Sequence, residues 1–141
     1  MTKDWIQQFG SLLEAPSPAV LATYREDGTV FVSPVWFRFH NTRFEVVIAE
    51  GDAKLRHLKR RPECSLVVFE TTPPFRGVRI EGVPALVPDQ DGGVRAAIAG
   101  GYLGAEGGSR FADERQTPGI VLRLEVDQAR AWDLSTILPR D

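Results

Sequence analysis

The segment AVLATYREDGTVFVSPVWF, residues 19–37, carries the clearest structural pattern in the chain. Its first part, residues 19–25, is apolar, and it is followed by Asp27-Gly28, a dipeptide typical of a tight hairpin turn. Residues 30–39 are rich in β-branched and aromatic side chains, which predicts a second, antiparallel strand. Pro34 lies inside that strand. Because proline has no backbone N–H to donate, it predicts an edge, a bulge or a gap in the pairing.

The rest of the chain extends this β pattern with few helices. A short amphipathic helix is predicted over residues 3–13, and a second helix over 53–61, capped by Asp52 and ended by Pro62. The further predicted strands are 44–49, 64–71, 75–87 and 119–126, and 129–134 could continue the last of them. Most links are too short for the helical crossovers that parallel strands need. We therefore expect a mainly β fold, a small antiparallel barrel of about six strands, as one domain over residues 1–141.

Residues 91–117 give the weakest signal. Val94 to Leu103 could form a helix, which Gly100-Gly101 would break. Seven glycines lie between Gly92 and Gly108, but no GxGxxG or GK[ST] motif accompanies them. A flexible surface loop is therefore favoured here over a phosphate-binding loop.

Composition narrows the function classes. The chain has 141 residues, a formal net charge of −2, one cysteine and two histidines. This excludes an intrachain disulfide framework and makes a structural metal site improbable. No stretch approaches the roughly 18 apolar residues of a membrane span, and the N-terminus MTKDWIQQFG lacks the apolar core of a signal peptide. We expect a cytoplasmic protein with no membrane or nucleic-acid partner.

The densest chemical signal is AKLRHLKRRP, residues 53–62, which has five basic side chains and no acid. Lys54 falls in the first helical turn, where free backbone N–H groups and the positive end of the helix dipole suit a phosphate. Lys54, His57 and Arg61 share one helix face. Two alternatives remain open at this point: a solvated helix face, and a nucleic-acid patch, which lacks a second basic stripe.

A second candidate site is Ser33-Pro34-Val35-Trp36, where the proline could leave neighbouring backbone groups free for a ligand. Trp36 and Phe37 could form the wall for a planar ring, or they could simply pack in the core. Conventional catalysis has little support, because no GxSxG motif occurs and Cys64 lies in an apolar strand, where cysteine behaves as a small hydrophobe. No catalytic side chain is assigned.

Three blocks, in order and at similar spacing, resemble the pyridoxamine 5′-phosphate oxidase-like flavin and deazaflavin proteins. The first is AVLATYREDGTVFVSPVWF. The second, VVIAEGDAKLRHLKRRPECSLVVFE, contains an A-K-x-R-x-L helix between two strands, and the third is VRIEGVPALV with its E-G pair. The similarity covers residues 18–88 and, more loosely, 118–134, whereas residues 90–117 match no pattern that can be transferred from the family, which leaves the substrate pocket unassigned.

The resemblance implies a six-stranded split β-barrel of the FMN-binding type, a homodimer with two cofactor sites at the interface. The lysine of the A-K-x-R block, here Lys54, would meet the cofactor phosphate. The strand Val47-Ile48-Ala49 and the segment Ser33-Pro34-Val35-Trp36 would line the ring system. Arg56 and His57 belong to the same block, at positions where the family varies.

The cofactors found in such proteins are FMN, the deazaflavin F420, and occasionally FAD or haem. The compact length and the A-K-x-R-x-L block look most like the F420-using branch, with FMN as the alternative. The resemblance thus implies a reductase that passes a hydride to an unsaturated small molecule, or, alternatively, a non-enzymatic flavin or haem carrier. The C-terminal residues WDLSTILPRD depart from the Arg-rich ending of true pyridoxamine-phosphate oxidases, so vitamin B6 oxidation is not expected.

Overall fold

Two antiparallel sheets form the body of the protein in a computed structural model, which describes residues 5–139 except the side chain of Gln128. The strands of the described residues are β1 Ala19–Tyr24, β2 Val30–Pro34, β3 Arg38–His40, β4 Arg43–Ala49, β5 Cys64–Phe69, β6 Gly77–Gly82, β7 Ala85–Asp89, β8 Gly119–Glu125 and β9 Ala129–Trp132. The helices are α1 Trp5–Gln8, α2 Gly10–Leu13, α3 Ala53–Arg60, α4 Gly93–Leu103 and α5 Ala105–Glu114. One sheet has the order β2-β1-β5-β6-β9 and the other β3-β4-β8-β7.

At three places the chain bends sharply and passes from one sheet directly into the other. The β2–β3 run turns at residues 35–37, the β6–β7 run at 83–84, and the β8–β9 run at the 3-10 turn 126–128. The first corner comes directly after Pro34, where the sequence predicts a gap in the pairing. The six predicted strand runs thus become nine described strands. The mainly antiparallel, split-barrel prediction is confirmed.

The space between the sheets is filled by apolar side chains. The burial of β1 and β5 alternates along each strand, as expected when one face meets the core. Fully buried members of this core include Leu21, Phe37, Phe44, Leu66 and Ile80. Removing such side chains from water is the main stabilising term of a domain this size.

The N-terminal segment covers part of this core. The predicted helix over 3–13 is two short helices, α1 and α2, separated at Phe9, while residues 3 and 4 lie outside the described ones. Phe9, Leu12 and Leu13 are buried and belong to the main core cluster. The amphipathic pattern therefore identifies the buried face correctly, and the break at Phe9 is the difference.

The glycine-rich segment is helical, so the prediction of a flexible surface loop over 92–108 is wrong. The helix predicted over 94–103 is present as α4, but it runs through Gly100-Gly101 and ends instead at Gly104, whose φ is +84°. A Cβ added to Gly108 would lie 2.5 Å from the backbone nitrogen of Gly100 and 2.7 Å from the carbonyl oxygen of Ala96. The glycines therefore allow α4 and α5 to pack backbone against backbone.

Helix α3 agrees closely with its prediction. It begins after Asp52, whose carboxylate accepts the backbone N–H of Lys54 at 2.8 Å, and it ends before Pro62. Leu55 and Leu58 are buried against the body of the protein. The helix packs on β1, and this contact decides which of its side chains face the barrel and which face away from it.

An ion triad centred on a buried carboxylate links three strands of the four-stranded sheet. Glu45 on β4 is 2% exposed and accepts hydrogen bonds from Arg38 on β3, at 2.7 Å, and from Arg123 on β8. Burial alone would raise the pKa of Glu45, but the hydrogen bonds and charges of the two arginines outweigh it, and the pKa lies below its usual value. The triad fixes the register of three neighbouring strands.

Candidate functional site

A cleft of about 270 Å³ lies beside the first corner of the fold, where β4, α3, α4 and α5 meet; we call it the basic cleft. Its lining combines apolar and aromatic side chains with charged ones. The lining residues are Pro34, Val35, Trp36, Val47, Ile48, Ala49, Asp52, Lys54, Arg95, Ile98, Phe111 and Arg115.

Lys54 enters the cleft from the first turn of α3. Its side chain is only 15% exposed, and its Nζ lies 3.2 Å from Oδ2 of Asp52. The same carboxylate caps the helix through the backbone N–H of Lys54, so this N–H is not free as the sequence suggested. Lys54 thus offers a partly desolvated positive charge whose present partner is the capping carboxylate.

Arg95 brings a second positive charge from the first turns of α4. The carboxylate of Asp89 caps this helix by accepting the backbone N–H groups of Val94 and Arg95, at 3.1 and 3.0 Å. The guanidinium of Arg95 donates to the carbonyl oxygen of Thr117 at 2.9 Å. Both ends of Arg95 are therefore held, and its side chain lies along the cleft in a fixed position.

Arg115 supplies a third positive charge at the end of α5. Its guanidinium carbon lies 4.0 Å from the ring centroid of Phe111, a cation–π contact that orients the charged group. Phe111 itself lines the cleft. The C-terminal end of α5 therefore presents an aromatic ring and a cation together.

The aromatic wall is built on Trp36. Its ring stacks on Tyr102 with centroids 5.0 Å apart and planes at 11°, and it also contacts Phe111 at 5.2 Å. The sequence suggested free backbone groups around Pro34, but two of them have partners: the N–H of Val35 donates to the carbonyl of Ala19, and that of residue 37 donates to the Tyr102 hydroxyl. The wall is therefore a fixed element.

The predicted site residues fall into two groups. Lys54, the segment 34–36 and the strand 47–49 meet in the basic cleft. Ser33, Arg56 and His57 do not line it. The Ser33 hydroxyl is buried without a hydrogen-bond partner, and Arg56 donates to the carbonyl of Gly51 on the other side of the loop.

His57 faces β1 and β2 rather than the cleft, because α3 packs on β1 through this side. Its Nδ1 lies 2.9 Å from the hydroxyl of the fully buried Thr23, and its ring contacts Phe31 edge-on. Burial, together with the charges of nearby arginines, lowers the pKa of His57. Arg61 lies over the ring of Tyr24 at 3.8 Å, so the helix face shared by residues 54, 57 and 61 is not one basic surface.

The sequence reasoning missed the cleft residues contributed by α4 and α5, namely Arg95, Ile98, Phe111 and Arg115. It also read Asp52 only as a helix cap. One sequence signal was available: Asp89 and Asp91 precede Gly92-Gly93, which is a reasonable helix start with Arg95 in its first turn. Nothing in the sequence placed that helix beside Lys54.

Three cations, one carboxylate and a row of apolar side chains suit a ligand with an anionic group attached to a flat ring system. Other chemistries have less support. Burial raises the pKa of the Cys64 thiol to about 12, so it is not a nucleophile at neutral pH. Over the described part of the chain, no group of three or more histidine, cysteine, aspartate or glutamate side chains could hold a metal ion. Among the described helices, none is long and apolar enough to cross a membrane.

Two antiparallel sheets linked at three corners, with a cleft beside the first corner, define a small split β-barrel protein. The chain belongs to the pyridoxamine 5′-phosphate oxidase family, whose family model matches residues 6–133. No curated protein matches the chain by sequence.

Solved structures share this fold at low sequence identity. A conserved hypothetical protein from Mycobacterium tuberculosis superimposes with a TM-score of 0.78 at 22% identity, over 100% of this chain and 91% of that one. A protein described as an F420 reductase gives 0.65 at 24% identity, over 82% and 90%. An FAD- and haem-binding protein from Mycobacterium smegmatis gives 0.68 at 18%, over 96% and 73%.

Proposed function

We propose that the protein is an F420-dependent oxidoreductase that reduces an unsaturated small molecule. The observation that carries this proposal is the basic cleft, which Lys54, Arg95 and Arg115 line together with apolar and aromatic side chains. F420 combines a flat deazaflavin ring with a phosphodiester and a tail of carboxylates, so it needs both kinds of surface. The similarity to a protein described as an F420 reductase, at 24% identity, supports the proposal.

In this proposal each part of the cleft has a role. Lys54 and the two arginines bind the phosphate and the first carboxylate, while Val47, Ala49 and Trp36 contact the ring. When bound, reduced F420 would supply a hydride to an acceptor that takes up a proton as its double bond is reduced. The protein would contribute binding, orientation and exclusion of water.

FMN is the second candidate, because its ring and phosphate would use the same apolar wall and the same lysine. A carrier of haem has less support, since none of the described residues lining the basic cleft is a histidine, cysteine, methionine or tyrosine, the ordinary ligands of haem iron. A flavin carrier without turnover remains the non-enzymatic alternative, and only a reaction assay separates it from an enzyme.

We also propose that the functional unit is a homodimer with its cofactor sites near the interface. Val30 and Val32 on the edge strand β2 are 48% and 60% exposed, and they lead to Pro34 at the rim of the basic cleft. Exposed apolar side chains on an unpaired edge favour association. Sedimentation of the protein and of Val32→Glu tests this, since a dimer through this edge should dissociate in the variant.

Fluorescence titration with F420 and with FMN tests the cofactor. We expect dissociation constants below about 1 µM for F420, with FMN weaker by about tenfold, about 1.4 kcal/mol. Both ligands binding more weakly than that limit would refute the proposal, and the reverse order would assign FMN. A pre-reduced cofactor that no acceptor reoxidises would indicate a carrier.

A further inference from the structure

Tyr102, near the end of α4, joins three parts of the chain that are far apart in sequence. Its hydroxyl donates to the carbonyl of Ser17 at 3.1 Å and accepts the N–H of Phe37 at 3.2 Å. Its ring stacks on Trp36, with centroids 5.0 Å apart and planes inclined by 11°. One side chain therefore connects α4 to the segment before β1 and to the first corner of the fold.

The hydroxyl of Tyr102 supplies a partner that the sheets do not. Phe37 is fully buried and lies between β2 and β3, outside the strand pairing. A buried backbone N–H without a partner is costly, and here the partner is the Tyr102 hydroxyl. Burial raises the pKa of this hydroxyl above its usual value, so it stays protonated at neutral pH and keeps donating to Ser17. The path of the corner thus depends on one hydroxyl group.

Trp36 is the residue through which this corner reaches the ring-binding part of the basic cleft. Trp36 lines the cleft, whereas Tyr102 does not. Trp36 is 36% exposed, so the core does not enclose it, and its orientation depends on the rings that it contacts, Tyr102 and Phe111. Because the contact with Tyr102 is nearly parallel, it sets the plane of the Trp36 ring.

The same face of α4 also carries a cation of the cleft. Arg95, Ile98 and Tyr102 follow one another at steps of three and four residues, the spacing that places side chains on one side of a helix. Arg95 and Ile98 line the basic cleft, and the guanidinium of Arg95 donates to Thr117. Positions 95 and 102 are about 10 Å apart along the axis of a helix. One helix therefore sets a cation of the cleft and, through Tyr102, its aromatic wall.

We propose that Tyr102 is a positioning residue of the proposed cofactor site: it holds Trp36 in the plane that the cofactor ring needs, without touching the cofactor. This role rests on the proposed function, whereas the hold of Tyr102 on Trp36 rests on the contacts alone. The expected consequence is selective. Loss of Tyr102 weakens the ring contact, while the three cations of the cleft keep binding the anionic groups.

The first experiment needs no ligand and measures quenching of tryptophan fluorescence by acrylamide. Tyr102→Phe removes only the hydroxyl, Tyr102→Leu also removes the ring, and the other tyrosine of the chain provides a matched control, Tyr24→Phe on β1. We expect the Stern–Volmer constant to rise in Tyr102→Phe and further in Tyr102→Leu, because Trp36 is released from its plane. The rise should vanish in a Trp36→Phe background and be absent in Tyr24→Phe. An unchanged constant in the folded Tyr102 variants would overturn the inference.

The second experiment is fluorescence titration of F420 at two sodium chloride concentrations. We expect Tyr102→Phe to bind F420 about threefold more weakly and Tyr102→Leu at least about tenfold more weakly, because the aromatic wall is no longer held for stacking. The change in affinity between the two salt concentrations should match that of the wild type, since the charge contacts remain. The absorption spectrum of bound F420 should differ from that in the wild type. A merely structural role would lower the midpoint of urea denaturation and leave affinity and spectrum unchanged, and that result would also overturn the inference.

The two experiments separate this inference from the proposed function. If the wild type binds neither F420 nor FMN, the proposed function is refuted and the positioning role with it, even where the Tyr102 variants release Trp36. If the wild type binds F420 and the variants release Trp36 but keep the wild-type affinity and spectrum, the positioning role alone is refuted. FMN is the probe if only FMN binds. If Tyr102→Leu fails to fold, Tyr102→Phe decides both experiments.

Discussion

Replacing Lys54 with alanine is the most direct perturbation of the proposed cofactor site. Its side chain is 15% exposed, and the observed partner of its ammonium group is the carboxylate of Asp52, 3.2 Å away. In the bound state we expect a ligand phosphate to replace Asp52 as the partner of the Lys54 ammonium group, or to share that group with Asp52. The variant therefore removes one cation from the cleft and also leaves the Asp52 carboxylate facing the anionic ligand.

Two contributions set the size of the effect. Loss of a charge-assisted hydrogen bond costs about 1.5–3 kcal/mol. The exposed carboxylate adds repulsion of about 1 kcal/mol at a separation of a few ångströms in a largely solvated setting. The side chain of Asp52 is 33% exposed, so we use the repulsion expected in a largely solvated setting rather than the larger repulsion between buried charges. The total, about 2.5–4 kcal/mol, corresponds to a loss of affinity of about 70- to 900-fold.

A double-mutant cycle separates the two contributions. Asp52→Asn removes the negative charge while keeping a good helix cap, since asparagine and aspartate cap equally well. We expect this variant alone to bind F420 about fivefold more tightly, and in the Lys54→Ala background to restore a similar factor. Lys59→Ala on the exposed side of the same helix is the matched control and should change the affinity less than about twofold.

The assay is fluorescence titration of F420 at two salt concentrations. The difference between wild type and Lys54→Ala should shrink at high salt, because screening weakens charge contacts. Wild-type affinity in the Lys54 variant would refute the phosphate-binding role. Equal losses for the Lys54 and Lys59 variants would reduce that role to a general effect of net charge.

Three further predictions concern the scaffold. Gly108→Ala should destabilise the protein by about 1–3 kcal/mol in chemical denaturation, because the added Cβ meets the backbone of the facing helix, whereas Gly10→Ala, with open space around it, should not. Glu45→Gln should lower the free energy of unfolding by about 1–3 kcal/mol, because it leaves two half-buried arginines without their charged partner. The wild type should lose this contribution in acid, as the low-pKa carboxyl of Glu45 is protonated, and the variant should show no such loss. The folded protein holds the pKa of His57 below its unfolded value, so the unfolded chain binds more protons as the pH falls below about 6.5 and stability declines; His57→Gln should flatten this part of the stability–pH curve.

Local sequence signals predicted the parts of the site that are local in sequence. Asp52 before a basic amphipathic run, with Pro62 after it, defines the start and end of one helix, and the structure has both. The same signals place Lys54 in the first turn, next to the cap. They do not say which side of the helix meets the barrel. In the structure His57 is on that side, against Thr23 and away from the cleft.

Pro34 shows how a correct local signal can have an unforeseen consequence. The residue marks an interruption of a strand, as predicted, because its missing N–H cannot join a ladder. In the fold this interruption is a corner at which the chain leaves one sheet for the other. The N–H groups beyond it then bond to Ala19 and Tyr102, partners that are distant in sequence or on another element.

The glycine-rich segment defeats sequence reasoning because glycine has two opposite uses. Single-residue propensity counts each glycine against a helix, by about 1 kcal/mol relative to alanine. In α4 and α5 the absent side chains instead allow the contact between Gly100 and Gly108, and the packing gained there outweighs the propensity. Without a view of that contact, the sequence could not show that Arg95 and Arg115 would reach one cleft.

The division of the cleft into local and distant parts has a functional meaning. Lys54 comes from a helix whose start the local signals predict, whereas Arg95, Phe111 and Arg115 come from α4 and α5, whose place beside Lys54 those signals do not show. In the proposed function the two arginines of α4 and α5 bind the cofactor together with Lys54, so the distant part of the cleft supplies two of its three cations. Exchanging the α4–α5 segment for that of a relative without these two arginines should therefore weaken F420 binding, and an unchanged affinity in fluorescence titration would show that Lys54 is sufficient.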